Sequence, residues 1–295
     1  MGPPAVFTVA PFSNLQVPLA SLPAAAPAYA IVAVAAGAGR ISAYASLVDN
    51  HTGDAVFIPA GRPPPVVRLL VPVVARHPGR EATRWRSSLQ VVNLGQGAVT
   101  LDLQLRPRMG SPSSPGSAAV SVQPGRALAV ADVVSELFGL DQVVGSLQIN
   151  VLQGPATIVA TSRTFNATAD GSYGQGVPVV ASGVGPAAVI SHVDGTGSLR
   201  TNLGLCEVAG SNARVRCTIR DAHGRQLGQP LILDPGPFEL VQVDDVFAAA
   251  GASPTHNCRI DLTRVSGTGD FVGYASVVDA LTGDAICVPA VSQSQ

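Results

Sequence analysis

Residues 43–60 read AYASLVDNHTGDAVFIPA, and residues 273–290 read GYASVVDALTGDAICVPA. Eleven of the 18 aligned positions are identical without a gap. A weaker version lies between them at residues 160–180, where Ser162 aligns with Ser276 and the same proline follows. The three segments recur with a period of about 115 residues, which indicates a chain built from repeated units.

Other segments repeat in the same order and spacing. Residues 85–89 (WRSSL) match residues 199–203 (LRTNL). The chain therefore divides into two full modules, at residues 65–181 and 185–290. Residues 1–61 match only the C-terminal half of a module. That half predicts three or four strands without the strands that would pair with them.

One full module contains seven or eight short runs rich in Val, Ile, Leu and Thr, bounded by Gly, Pro or Asn. Such runs indicate strands, and no long amphipathic helix separates them, so the pattern predicts an all-β fold of tandem immunoglobulin-like β-sandwich modules. Gln104 and Gln148 alternate with apolar neighbours, as in strands with one solvent-exposed face. Asp132 is a candidate N-cap for a short helix over residues 133–138, which Gly139 would end.

The repeated hairpin has the residues of a tight turn. Gly supplies the positive φ that a short loop needs, and Asp accepts hydrogen bonds from nearby amides. We predict structural turn roles for Asp49, Gly53, Asp54, Asp279, Gly283 and Asp284. The paired carboxylates raise the alternative of calcium binding, but two per loop are few for an ion that takes six to eight oxygens. We therefore predict no metal site.

The pattern Y-A-S-V-V-D-x-x-T-G-D-x-x-x-V-P-A at residues 274–290, and the [WL]-R-[ST]-[SN]-L strand that recurs at 85–89 and 199–203, carry a resemblance. They resemble uncharacterised tandem immunoglobulin-like modules of predicted secreted proteins from GC-rich bacteria. The resemblance covers most of the chain. It implies an extracellular or cell-surface location and no enzymatic activity. The middle hairpin departs from the pattern, with a longer loop.

Composition excludes several classes of protein. Hydrophobic residues make up 46% of the 295 residues and charged residues 13%, which excludes a disordered chain. The net charge is −1, so we predict no nucleic-acid partner. The most apolar stretch, residues 24–38, is too short to span a membrane and contains Pro27. The repeat assigns it to a strand, so we predict neither a membrane span nor an intact secretion signal.

The four cysteines all fall in the last module. Cys206 and Cys217 flank a predicted hairpin, where a cross-strand pair can just accommodate a disulfide. We favour this bridge, and four buried free thiols are the alternative. Cys258 and Cys287 are predicted to lie about two strand spacings apart, which is too far for a disulfide in a flat sheet. No cysteine or histidine spacing indicates a metal or cofactor site.

A run of arginines is the one charged cluster. Arg76, Arg80, Arg84, Trp85 and Arg86 are candidates for binding an anionic polymer. The alternative, which we favour, is a solvated loop between modules. We find no sequence motif of a nucleophile, a phosphate loop or a dinucleotide site, and so predict no catalytic residues.

The expected function is therefore a non-catalytic structural or adhesion module of a secreted or cell-surface bacterial protein. A carbohydrate- or anion-binding accessory module is the second hypothesis, and a hydrolase with an unrecognised site is the weakest. The half module predicts either truncation of a longer tandem chain, with further domains beside it, or completion by another protomer through its open strand edges.

Overall fold

The computed structural model of the chain describes residues 5–18, 29–61, 66–79, 83–169 and 171–293. Within these ranges it contains nineteen strands and two short helices, and every strand pairing is antiparallel. The predicted all-β class is confirmed. No helix among the described residues is long and apolar enough to cross a membrane.

The elements fall into three groups along the chain. The first holds β1 (Tyr44–Val48) and β2 (Ala55–Pro59). The second holds β3 (Arg68–Pro78), β4 (Arg84–Asn93), β5 (Val99–Pro107), β6 (Gly116–Val122), β7 (Ala127–Val130), α1 (Val133–Phe138), β8 (Val143–Gln153), β9 (Ile158–Thr168) and β10 (Gly171–Val177). The third holds β11 (Ala187–Val193), β12 (Leu199–Glu207), β13 (Ala213–Arg220), β14 (Gln226–Leu233), β15 (Leu240–Val243), α2 (Val246–Ala249), β16 (Cys258–Gly267), β17 (Phe271–Asp279), β18 (Ala285–Pro289) and β19 (Val291–Ser292).

The second and third groups share one order of strand pairing. In the third group, β14-β13-β16-β11-β19 forms one sheet and β15-β12-β17-β18 another. In the second group, β6-β5-β8-β3 follows the first order, and β7 and β9 flank β4 with β10 beyond β9. Only three residues of β4 pair with β3, so that contact joins the two halves at one end. Each half buries a face against the other, as in a β-sandwich.

Strand alternation positions the core as predicted. In β5 the apolar positions are fully buried and the polar positions between them are half-buried; the buried ones are Val99, Leu101, Leu103 and Leu105. Burying such side chains stabilises the fold by about 1.5–3 kcal/mol each. The helix signal is also confirmed: Asp132 accepts a hydrogen bond from Ser135 N, and Gly139 ends α1 at φ 63°.

Two strand predictions are wrong for one physical reason. The described part of residues 24–38 forms no strand, although its repeats are strands in the other groups. Of the three or four strands expected in residues 1–61, only β1 and β2 occur among the described residues. A strand needs a neighbour for its backbone hydrogen bonds, and the strands that pair with these repeats in the other two groups have no counterpart among the described residues of this segment.

Gln148 was expected on a wet face but is buried. Ser146, two residues earlier on the same side of β8, donates its hydroxyl to the backbone oxygen of Phe238 at 3.3 Å. The third group therefore covers this face of the second group. Sequence alternation distinguishes the two faces of a strand, but it does not show which of them another group of strands covers.

The expected bridge between Cys206 and Cys217 is not formed. β12 and β13 belong to different sheets, because the chain crosses between sheets where we predicted a hairpin. Cys206 packs with the core of the second group and Cys217 with the core of the third. All four cysteines are free thiols, three of them buried and Cys287 half-buried.

The pairing register also corrects one alignment. Counting back from the proline that ends each hairpin, Arg163 and not Ser162 holds the position of Ser46 and Ser276. The middle hairpin therefore carries a long cation where the other two carry a hydroxyl.

Candidate functional site

Three equivalent hairpins meet in the fold, although about 115 residues separate each from the next. We call β1–β2 the first hairpin, β9–β10 the second and β17–β18 the third. The second lies in contact with both of the others. Hydrogen bonds and a buried ion pair join these hairpins, so we take this hairpin stack as the candidate functional site.

The turn residues have the local geometry expected of them. Asp49 Oδ1 accepts the backbone N–H of His51 at 2.9 Å, and Asp279 Oδ1 accepts that of Leu281 at 2.8 Å. Gly53 and Gly283 adopt φ of 77° and 73°. These contacts close each turn, and they occupy one oxygen of each aspartate. Among the described residues no group of three or more metal-ligating side chains occurs.

The first hairpin docks on the second through its aspartates. Asp49 Oδ2 accepts the N–H and the hydroxyl of Ser172 at 2.9 and 2.8 Å. The N–H of His51 and the hydroxyl of Ser172 hold the pKa of Asp49 well below its usual range. Thr52 donates its hydroxyl to the carbonyl oxygen of Ser172 at 2.9 Å. The turn of the first hairpin is thus a docking element as well as a turn.

Asp54 makes the buried part of this contact. Its Oδ2 lies 3.0 Å from Arg163 Nη2 and accepts the N–H of Gly174 at 3.0 Å. The Asp54 side chain is 3% exposed, so its charge depends on these partners for solvation. The sequence predicted a turn role for Asp54 but not this ion pair, because Arg163 was placed one position out of register.

The second hairpin docks on the third through equivalent positions. Asn166 corresponds to Asp49, and Gly283 corresponds to Ser172, each lying six residues before the final proline. Asn166 Nδ2 donates to the carbonyl oxygen of Gly283 at 3.4 Å. Thus the same two positions meet at both steps of the stack. Ser276 adds a hydrogen bond to Gln175 Oε1 at 3.0 Å.

Two carboxyl groups approach each other across the stack. Burial raises the pKa of Asp284, and the nearby charge of Asp54 raises it further, as does that of Asp279. The predicted turn residue Asp284 also accepts the N–H of Ala285 at 2.7 Å. The first and third hairpins are therefore close enough to interact electrostatically.

Phe238 is the centre of a second contact between the second and third groups. Its ring lies 4.9 Å from the Arg68 guanidinium carbon and 5.5 Å from that of Arg106. Its N–H donates to the buried carboxylate of Glu207 at 2.9 Å. Phe238 adopts φ 58°, a conformation that costs energy for a residue with a side chain. The surrounding contacts hold it there.

The predicted anion-binding residues are only partly together. Arg76, Arg84, Trp85 and Arg86 line a small groove, while Arg80 lies outside the described residues. Arg76 forms ion pairs with Asp132 and Asp141, the second at 3.0 Å, and these contacts raise its pKa. The charge of Arg76 is thereby matched within the chain, and of the four, Arg84 is the exposed one.

Sequence reasoning missed one grouping of a hydroxyl, an imidazole and a carboxylate. His256 Nδ1 lies 2.7 Å from Asp194 Oδ2, and Thr196 Oγ1 lies 3.0 Å from His256 Nε2. The Thr196 hydroxyl donates its proton to Asp194 at 2.7 Å. Burial would raise the pKa of Asp194, but the Thr196 and His256 contacts outweigh it and lower the pKa. Because the Thr196 hydroxyl donates its hydrogen bond to the Asp194 carboxylate, it stabilises the loop between β11 and β12.

No family model matches the chain, and a search of curated proteins gives no match either.

Proposed function

We propose that the chain is a non-catalytic structural protein, a run of tandem immunoglobulin-like β-sandwich modules that works as a rigid spacer or attachment element. We place it outside the cell or on its surface, as part of a bacterial secreted protein. The immunoglobulin-like assignment and the location rest on the sequence resemblance. The mechanical role rests on the contacts between modules.

The observation that carries the proposal is the recurrence of one contact. Position 49 of the first hairpin meets position 172 of the second, and position 166 of the second meets position 283 of the third. Modules joined by a free linker have no reason to repeat such a contact. A polar contact made by equivalent residues at both steps fixes the orientation of each hairpin on the next, as a rigid spacer requires.

Burial of polar groups at these contacts supports the same role. Asn166 is fully buried, and Asp54 nearly so. A buried polar group is costly unless its partners stay in place, so any hinge motion that separates the modules would expose unpaired groups. The joint therefore favours one geometry strongly over bent alternatives.

The test is a distance distribution between modules. Spin labels at Ser121→Cys and Ala222→Cys, both exposed, report on the second and third groups by pulsed electron paramagnetic resonance. We expect one narrow distribution. Phe238→Ala should broaden it, and the exposed control Ile232→Ala should not. A broad distribution for the parent protein would overturn the rigid-spacer role.

A further inference from the structure

Equivalent residues of the first and third hairpins differ sharply in exposure. Tyr44 is 54% exposed, whereas the equivalent Tyr274 is 2% exposed. Val48 is 47% exposed and the equivalent Val278 is 3% exposed. In the third hairpin this face lies against the second group of strands. The first hairpin thus carries the residues of a covered interface with nothing upon it among the described residues.

We call this surface the receiving face: Tyr44, Val48 and Phe57, which lie on one side of β1–β2 by strand alternation. The rings of Tyr44 and Phe57 lie 5.1 Å apart and form its centre. Ser46 lies on the same side, at the position where Ser276 bonds to the second hairpin. The turn residues show the same difference in exposure: Gly53 is exposed, while the equivalent Gly283 is buried under Asn166.

The third hairpin carries the complementary surface at the other end. Val56 and Gln175, three residues before the proline, are buried where their hairpins dock on the next one. Ile286 holds this position in the third hairpin and is 60% exposed. Leu281, in the adjacent turn, is also exposed. We call Ile286 and Leu281 the docking edge.

We propose that the docking edge of one molecule seats on the receiving face of a second copy of this chain, so that copies join head to tail. We infer a second copy as the partner because the same positions already meet at two successive steps inside the chain. Because the two surfaces differ, the contact is heterologous and leaves one of each free, which permits chains longer than two. This inference extends the proposed spacer role from one chain to an assembly.

The contact needs no new chemistry. At the interior steps it combines a buried residue three before the proline (Val56 or Gln175), the side chain at position 49 or 166, and the turn of the next hairpin. The intermolecular step would offer Ile286, Asp279 and the turn at Gly53, with Phe57 and Tyr44 supplying apolar area. Aromatic residues that become buried in this way dominate binding energy at interfaces.

The test uses sedimentation equilibrium of the whole chain over about 1–200 µM, a range suited to micromolar affinities. We expect the average mass to rise with concentration. Phe57→Asp removes the receiving face and Ile286→Asp the docking edge, and each should weaken association by at least about tenfold. Leu152→Asp, equally exposed but outside both surfaces, should associate as the parent does.

Mixing gives the decisive result. Each variant retains one working surface, so an equimolar mixture of Phe57→Asp and Ile286→Asp should form a dimer and nothing larger, although neither does so alone. Thermal melts of each variant check that the fold is intact. A parent protein that stays monomeric, or an Ile286→Asp variant that associates normally, would overturn the proposal. A monomer with a narrow distance distribution between modules would overturn the assembly alone and leave the spacer role standing.

Discussion

Replacing Tyr274 and Tyr44 in turn by alanine separates the buried hairpin face from the exposed one. The two residues are equivalent in the repeat, and each is paired with the proline that ends its hairpin. Tyr274 packs against the core of the second group of strands, over Gly204, and its hydroxyl donates to Gln242 Oε1 at 3.1 Å. Burial raises the pKa of the Tyr274 hydroxyl well above its usual value.

The expected loss in stability follows from the packing contacts that each tyrosine ring makes. Tyr274→Ala leaves a cavity between the second and third groups of strands, and truncating a buried aromatic costs about 3–5 kcal/mol. For unfolding of about 150–250 residues together, each kcal/mol lowers Tm by about 2–4 °C, so we expect a fall of roughly 6–20 °C. Tyr44 is 54% exposed, so Tyr44→Ala loses less packing, including its contact with Phe57, and we expect a cost of about 1 kcal/mol or less.

Urea titration followed by far-ultraviolet circular dichroism measures the free energy of unfolding of both variants, at a protein concentration below any self-association. Thermal melts followed by the same signal give the shift in Tm. Tyr274→Phe serves as a control, since it keeps the ring and loses only the hydroxyl, for about 1 kcal/mol. Equal destabilisation by Tyr274→Ala and Tyr44→Ala would refute the reasoning, because it would mean that both faces are covered to the same extent.

Three further predictions concern the turns and thiols. The pKa of Asp284 is raised by burial and by Asp54, so the folded state holds that proton more tightly and stability falls as pH rises through the window from the usual to the raised pKa; Asp284→Asn should therefore raise Tm at pH 7 and leave it unchanged at pH 3, and no gain at pH 7 would contradict the carboxyl contact. Gly283→Ala should destabilise more than Gly53→Ala although both have positive φ, because its Cβ would lie 2.8 Å from Asn166 Nδ2 while the other meets open space; equal melting temperatures would count against the docking of the third turn. Burial raises the pKa of three of the four thiols to about 12, so a thiol reagent should react slowly with the native protein and release four equivalents on unfolding, whereas two equivalents would indicate a disulfide.

Local features were predictable because contiguous residues encode them. The all-β class followed from alternation and turn residues, and the helix cap at Asp132 followed from its position before a short apolar run. The turns at Gly53 and Gly283 followed from the need for positive φ. Each of these depends on residues within one or two turns of chain, so the sequence carries the whole cause.

Features that depend on distant segments were not predictable. Gln148 is buried because a later group of strands covers β8, and Arg76 is neutralised by Asp132 and Asp141 from beyond its own hairpin. Cys206 and Cys217 separate because the chain changes sheet between them. In each case local alternation permits several environments, and only packing selects one.

The internal repeat, the strands and their turns were thus determined by sequence alone, since short-range sterics and hydrogen bonding specify them. Which hairpin face is covered, which carboxylate meets Arg163 and which surface remains open were decided only by tertiary structure. Tyr44 and Tyr274 show why: nearly identical local sequence surrounds both, and their exposure differs because, among the described residues, only Tyr274 packs into the core of another group of strands.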